Sequence, residues 1–316
     1  MTKEYSPLTP PLAWQLCGPH TWAATIAAYA FAFTYSCVEI HANSLQGGKI
    51  SLLMALVLFL ICVLMQSAVN VFDDYFDYKK GTDTQENSSK DKFDAVLVYN
   101  RVNPKSVLAL GVSLLVAAFS LGLYVIACCG WVPLAIGIVG ALVVVAYAGG
   151  KLPLSHLPVG EVVSGFVMGG LIPLACTYAL MGYLDWFVLI FAVPIMLGIG
   201  MINATNNTCD IEKDKLVERH TLAVKLGRKR APKVYRALVV IWIASIVTLV
   251  ALRYSTSLPC VMLMLLGAFP VLRALFKNPL IQESRDGAMA QIVSINVIFA
   301  AFYCLCIALA GNIIWM

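Results

Sequence analysis

Residues 50–83 read ISLLMALVLFLICVLMQSAVNVFDDYFDYKKGTD. The first part is unbroken apolar sequence, long enough for the ~20 residues a helix needs to cross a bilayer. Its far end changes character within one turn, to Asn70-Val-Phe-Asp73-Asp74-Tyr75-Phe76-Asp77. Asn70, Asp74 and Asp77 are spaced i, i+4, i+7, which places them within an arc of about 60° on one helix face. Carboxylates at membrane depth are costly to bury and are functional by default.

The rest of the chain extends this pattern. Hydrophobic residues make up 60% of the 316, charged residues 12%, and mean hydropathy is +0.83. Such a composition excludes an ordinary soluble domain and implies a polytopic membrane protein. The expected fold is all-α, with nine transmembrane helices near 21–41, 50–78, 106–128, 131–149, 159–182, 185–208, 232–253, 256–275 and 287–312. The whole chain, 1–316, is expected to form one domain, with long polar segments at 79–105 and 209–231. Its opening, MTKEYSPLTPP, lacks the basic and apolar regions of a cleavable signal, so the first apolar segment is expected to remain as a helix. The ten cysteines are scattered with no CxxC pair, which suits packing rather than zinc or disulfides. The lipid bilayer is the expected surroundings, and no nucleic-acid partner is expected.

Charge sets the orientation. With the N-terminus inside, all but Lys49 and Arg253 of the 22 Lys and Arg residues fall on one side. The positive-inside rule then places the N-terminus and both long polar segments in the cytoplasm, a bacterial cytoplasmic membrane being the expected location. Long connections in a compact protein are commonly functional.

The second polar segment opens with Asn203-Ala-Thr-Asn206-Asn207-Thr208-Cys209-Asp210-Ile211-Glu212-Lys213-Asp214. Asn203, Asn207 and Asp210 repeat the i, i+4, i+7 spacing, and Asp214 extends that face by a turn. Each cluster ends an expected outward-to-inward helix. Carboxylates mixed with amide carbonyls suit a hard divalent cation that shares its ligands with phosphate. Such cations, with lysines nearby, bind a diphosphate. A diphosphate that also needs many membrane helices points to a substrate with a long hydrocarbon tail.

These residues resemble the UbiA superfamily of intramembrane prenyltransferases, most closely the branch acting on 1,4-dihydroxy-2-naphthoate. The resemblance begins at Gly18-Pro19-His20-Thr21 and runs through Asp74-Tyr75-Phe76-Asp77 and Lys80-Gly81-Thr82-Asp83. Tyr147-x-Gly149-Gly150 and Val159-Gly160-Glu161 resemble its central segment. Asn206-Asn207-x-x-Asp210-Ile211-Glu212-x-Asp214, followed by His220-Thr221-Leu222-Ala223-Val224-Lys225-Leu226-Gly227, is the most specific part. Three positions depart from the branch: Asp73 replaces Asn, Cys209 replaces Arg, and Lys151 replaces Pro.

The resemblance implies two Mg²⁺ ions, one held by Asn70, Asp74 and Asp77 and the other by Asn207, Asp210 and Asp214, bridging the diphosphate of a polyprenyl donor. Lys151, with Lys213 or Lys215, would assist departure of the diphosphate. Asp73 and Asn206 would join the substrate-facing set, and Tyr75, Phe76 and Tyr147 would line the prenyl pocket. Arg101, Arg219 or Lys225 would hold the carboxylate of the aromatic acceptor, which leaves as CO₂ if that acceptor is 1,4-dihydroxy-2-naphthoate. His20 and His156 suit helix ends, and Glu161 suits the positive end of a helix dipole. Two alternatives remain open on sequence: another quinone precursor such as 4-hydroxybenzoate as acceptor, and an ion-coupled secondary transporter. Transporter sites lie near the bilayer midplane on broken helices, unlike these helix-end carboxylates. The D-x-x-D-G-x-x-A-R signature of CDP-alcohol phosphotransferases does not occur; Asp286-Gly287-Ala288 lacks its remainder.

Overall fold

A computed structural model describes residues 5–42, 50–80, 96–148 and 153–311. Among these residues the protein is helical, with one isolated bridge between Ser6 and Val102 and no strand. The N-terminal helices are α1 (Pro10–Leu16), α2 (Trp22–Ala42), α3 (Leu52–Lys80), α4 (Val96–Asn100) and α5 (Pro104–Cys129). They are followed by α6 (Val132–Ala148), α7 (Gly160–Phe166), α8 (Ile172–Met181), α9 (Phe187–Phe191) and α10 (Val193–Cys209). The last are α11 (Ile211–Leu216), α12 (Leu222–Arg253), α13 (Leu258–Lys277) and α14 (Arg285–Ala310).

Among the described residues seven helices are long and apolar enough to cross a membrane: Pro10–Ala42, Leu52–Lys79, Pro104–Cys129, Gly160–Met181, Leu222–Arg253, Ser255–Lys277 and Gln282–Ala310. The fourth and sixth of the nine expected spans are not among them. The fourth corresponds to α6, whose described residues, Val132–Ala148, number 17. The sixth is divided into α9 and α10 at Ala192. Pro194 lies two residues beyond that division and has no N–H to give to Ile190, so the helix restarts there with proline in its first turn.

The chain falls into two compact units, 1–26 with 56–128 and 27–55 with 129–316. In the first, Leu16, Val71, Val96, Leu97, Val102 and Val107 form a buried cluster that joins α1, α3, α4 and α5. The turn between α1 and α2 locks onto α3. Gly18 has φ +58°, and a Cβ there would lie 2.6 Å from Asn70 Nδ2, so only glycine fits without displacement.

In the second unit α10 packs against α7, α12 and α14. Its contact with α7 is made backbone to backbone: a Cβ on Gly165 would lie 2.4 Å from the Met196 carbonyl oxygen, and one on Gly200 2.9 Å from the Glu161 carbonyl oxygen. Across α12, Trp242 donates its indole N–H to the Pro194 carbonyl (2.8 Å) and packs edge-on against Phe299 of α14 (4.7 Å). Thr221 caps α12 by accepting from the Val224 N–H.

Candidate active site

The first motif occupies the C-terminal turns of α3. Asn70, Asp74 and Asp77 are half-buried while Asp73 is exposed, as the helical wheel requires. Asn70 is firmly placed: its Nδ2 donates to the Cys17 carbonyl (2.8 Å) and to Thr21 Oγ1 (2.8 Å), and its Oδ1 accepts from Gln66 (3.2 Å). Gln66 itself accepts from Thr25. The amide is therefore oriented by the Gly18 turn, and among the described residues its Oδ1 accepts from Gln66 alone. Tyr75 is half-buried and meets Phe76 edge-on at 5.3 Å, with Lys79 Nζ 5.9 Å from the Tyr75 ring centre. Arg101 is exposed, with φ +49°, in the turn before α5.

In the second motif, side chains from distant sequence hold almost every polar residue. Asn203 donates to Ser164 Oγ (2.6 Å) and to the Tyr147 hydroxyl (3.4 Å). Asn206 Oδ1 accepts from Arg285 Nε at 2.8 Å. The same guanidinium nitrogen lies 3.3 Å from Asp210 Oδ2. Asn207 donates its Nδ2 to Glu161 Oε1 at 2.8 Å. Asp214 pairs with Arg219 (3.2 Å) and accepts from Thr221 Oγ1 (3.5 Å). Asn207, Asp210 and Asp214 are all buried; Lys213 and Lys215 are exposed. Arg219, expected to meet an acceptor carboxylate, pairs with Asp214 and donates to the Ser155 carbonyl. His156 contributes its carbonyl, which accepts the His220 N–H at 2.8 Å. Lys151 lies outside the described residues, as do Gly81, Thr82, Asp83, Gly149 and Gly150.

Two carboxyl groups here depart from their ordinary acidity. Burial pushes Asp214 up, outweighing the lowering by Arg219. The Arg228 guanidinium, hydrogen-bonded to Glu212, holds that exposed carboxyl down. Sequence reasoning missed Arg285, 79 residues from Asn206, and Arg228, 16 residues from Glu212 and 52 from Leu280, because these separations leave no local pattern. Glu161 was legible only as a helix-end charge.

The fit to a divalent cation rests on Asp210. Its Oδ2 is held by Arg285, while its Oδ1 is buried with no hydrogen-bond partner among the described residues. A desolvated, oriented carboxylate oxygen is what a hard cation satisfies. No group of three His, Cys, Asp or Glu side chains able to hold a metal occurs among the described residues. A cation at the second motif would thus rest on Asp210, the Asn207 amide oxygen and the remaining lone pairs of Asp214, and complete its shell from water and substrate phosphate, the habit of Mg²⁺. Both Asp214 oxygens are engaged by Arg219 and Thr221.

Residues 42–295 match the profile of the UbiA prenyltransferase family. The chain belongs to this family. It is accordingly an enzyme, a prenyltransferase. Over 239 residues it is 31% identical to the 1,4-dihydroxy-2-naphthoate octaprenyltransferase of Bacillus subtilis, a match covering 75% of this chain and 73% of that protein. It is 28% identical over 257 residues to UbiA prenyltransferase domain-containing protein 1 of Danio rerio, covering 79% and 75%. Its fold is shared with a UbiA homologue from Archaeoglobus fulgidus bound to GPP and Mg²⁺. The TM-score is 0.62 at 13% identity, across 94% of this chain and 99% of that one. A UbiA homologue from Aeropyrum pernix gives 0.63 at 16% identity, across 92% and 98%.

Proposed function

We propose that this UbiA-family enzyme transfers a polyprenyl group from a polyprenyl diphosphate to 1,4-dihydroxy-2-naphthoate, a step of menaquinone synthesis. The observation that carries the chemistry is Asp210, with one oxygen fixed by Arg285 and the other buried and unpartnered among the described residues. The 31% identity to the Bacillus subtilis naphthoate enzyme supports the acceptor. Asn70, Asp74 and Asp77 would hold one Mg²⁺, and Asn207, Asp210 and Asp214 a second. Bound there, the ions supply charge neutralisation that makes diphosphate a leaving group.

The chain's own residues divide the remaining work. Arg285 fixes Asp210 and Asn206, and Arg219 with Thr221 fixes Asp214, so the carboxylates need no reorganisation when charge develops. Lys151, Lys213 and Lys215 add positive charge around the departing diphosphate. Tyr75, Phe76 and Tyr147 would shield the allylic cation that remains after the C–O bond breaks. The electron-rich ring carbon bearing the carboxylate forms the new C–C bond, and the carboxylate departs as CO₂. Arg101, Arg219 or Lys225 would bind the acceptor carboxylate. The polyprenyl tail lies in the bilayer, the site faces the cytoplasm, and the 316 residues act as one domain.

The test is pyrophosphate release from a polyprenyl diphosphate by purified protein with the naphthoate, with and without Mg²⁺. Release that depends on both acceptor and Mg²⁺ supports the proposal. Release with neither requirement removes it.

A further inference from the structure

Glu161 stands in the first turn of α7, where the dipole of a helix favours an anion whatever its contacts. That explanation accounts for neither of its oxygens. Oε1 accepts the Asn207 amide N–H at 2.8 Å, and Oε2 is buried with no partner among the described residues. The backbone that presents it has little freedom: the Glu161 carbonyl lies against Gly200 of α10, where a Cβ would approach it to 2.9 Å. Seven residues along α10, two turns on, stands Asn207. The carboxylate is thus carried on a helix packed backbone to backbone against the helix that bears the second motif.

A primary amide has two unlike ends. Offered oxygen-first, Asn207 is a cation ligand; offered nitrogen-first, it presents two N–H donors and repels the same cation. Burial of Asn207 makes the choice expensive to reverse, because the end turned away from the site must find a partner. A carboxylate can only accept, so Glu161 can bind the nitrogen end and not the oxygen end. We infer that Glu161 is a positioning residue that selects the orientation of the Asn207 amide, turning Oδ1 towards the metal and diphosphate. The inference rests on Asn207 being a metal ligand, as proposed above. It parallels the way partners behind a ligand orient it in metal sites generally, where their loss typically weakens metal binding ~10–100-fold.

The test is Mn²⁺ binding to the purified full-length protein, read by loss of the free-ion electron paramagnetic resonance signal, for wild type, Glu161→Gln, Glu161→Ala and Asn207→Ala. Gln keeps a carbonyl oxygen that can accept from Asn207; Ala keeps nothing. The expected result is near wild-type affinity for Glu161→Gln and a loss of about 10–100-fold for Glu161→Ala, similar to Asn207→Ala. Prenyl transfer should show the same ranking, with the defect of Glu161→Ala reduced by raising Mg²⁺. If Asn207→Ala binds as wild type does, Asn207 is not a ligand and the proposed site falls together with the inference. If Asn207→Ala weakens binding and Glu161→Ala does not, the site stands and the positioning role is overturned. If Glu161→Gln is as weak as Glu161→Ala while thermal melts show it folded, the charge of Glu161 matters rather than its acceptor geometry, and the inference is likewise overturned.

Discussion

Arg285 Nε lies 3.3 Å from Asp210 Oδ2 and donates to Asn206 Oδ1 at 2.8 Å, so one nitrogen from the start of α14 binds two residues of the second motif. The rigid guanidinium plane aims this single N–H between the two acceptors, whereas a lysine ammonium is a point charge on a flexible stem. Arg285→Ala should therefore lower kcat/KM by at least about tenfold, or ~1.4 kcal/mol, and raise the Mg²⁺ concentration needed for half-maximal rate. Arg285→Lys should fall between that variant and wild type. Steady-state pyrophosphate release across a Mg²⁺ titration measures both effects.

The first motif yields a prediction from exposure. Asp73 is exposed, whereas Asn70, Asp74 and Asp77 are half-buried on the neighbouring face. Asp73→Asn should keep most activity. Asp74→Asn or Asp77→Asn should lose a factor of ~100 or more, roughly 3 kcal/mol of transition-state stabilisation. The same titration, with thermal melts to confirm folding, decides it; equal loss at Asp73 would make that residue a ligand.

What the sequence made legible were the features carried by local periodicity. The i, i+4, i+7 spacing matches the burial that sets exposed Asp73 apart from half-buried Asp74 and Asp77, and apolar length located, among the described residues, seven helices long and apolar enough to cross a membrane. Hydropathy alone did not register the division at Ala192, since α9 and α10 are both apolar and Pro194 is tolerated in a first turn. Nor did it show the partners of the second motif. Glu161 and Arg285 reach Asn207 and Asp210 through tertiary packing, while Arg219 folds back on Asp214 from the turn just after α11; in the sequence all three read as loop or helix-end charges.

The Gly18 turn links stability to the site. With φ +58° at Gly18 and a Cβ position 2.6 Å from Asn70 Nδ2, Gly18→Ala meets both backbone and steric cost. The left-handed backbone alone costs about 1–2 kcal/mol. The variant should have a lower Tm than wild type in detergent, and its activity should fall further because Asn70 is displaced. An unchanged Tm would mean that the Asn70 anchor contributes nothing.

Asp214 yields a prediction of opposite sign for stability. Burial raises its carboxyl above the ordinary 3.8 despite Arg219. The folded protein thus holds that proton more tightly than the unfolded chain. This contribution to stability is fully present below 3.8 and is lost as pH rises through the folded value. At neutral pH the ionised group is a net cost. Asp214→Asn should therefore not lower the metal-free Tm at pH 7, while prenyl transfer falls by about tenfold or more, on the order of 1.4 kcal/mol. Melts at pH 7 and pH 4 should show the difference between variant and wild type shrinking towards acid.

The central claim concerns which bond is made and to what. Purified protein, Mg²⁺ and a polyprenyl diphosphate should be given equimolar 1,4-dihydroxy-2-naphthoate and 4-hydroxybenzoate, with products read by mass spectrometry and CO₂ trapped. The account predicts a prenylated naphthalene product lacking the carboxylate, formed with one CO₂ per transfer. Transfer to 4-hydroxybenzoate alone, or a prenylated naphthoate that keeps its carboxylate, would contradict it.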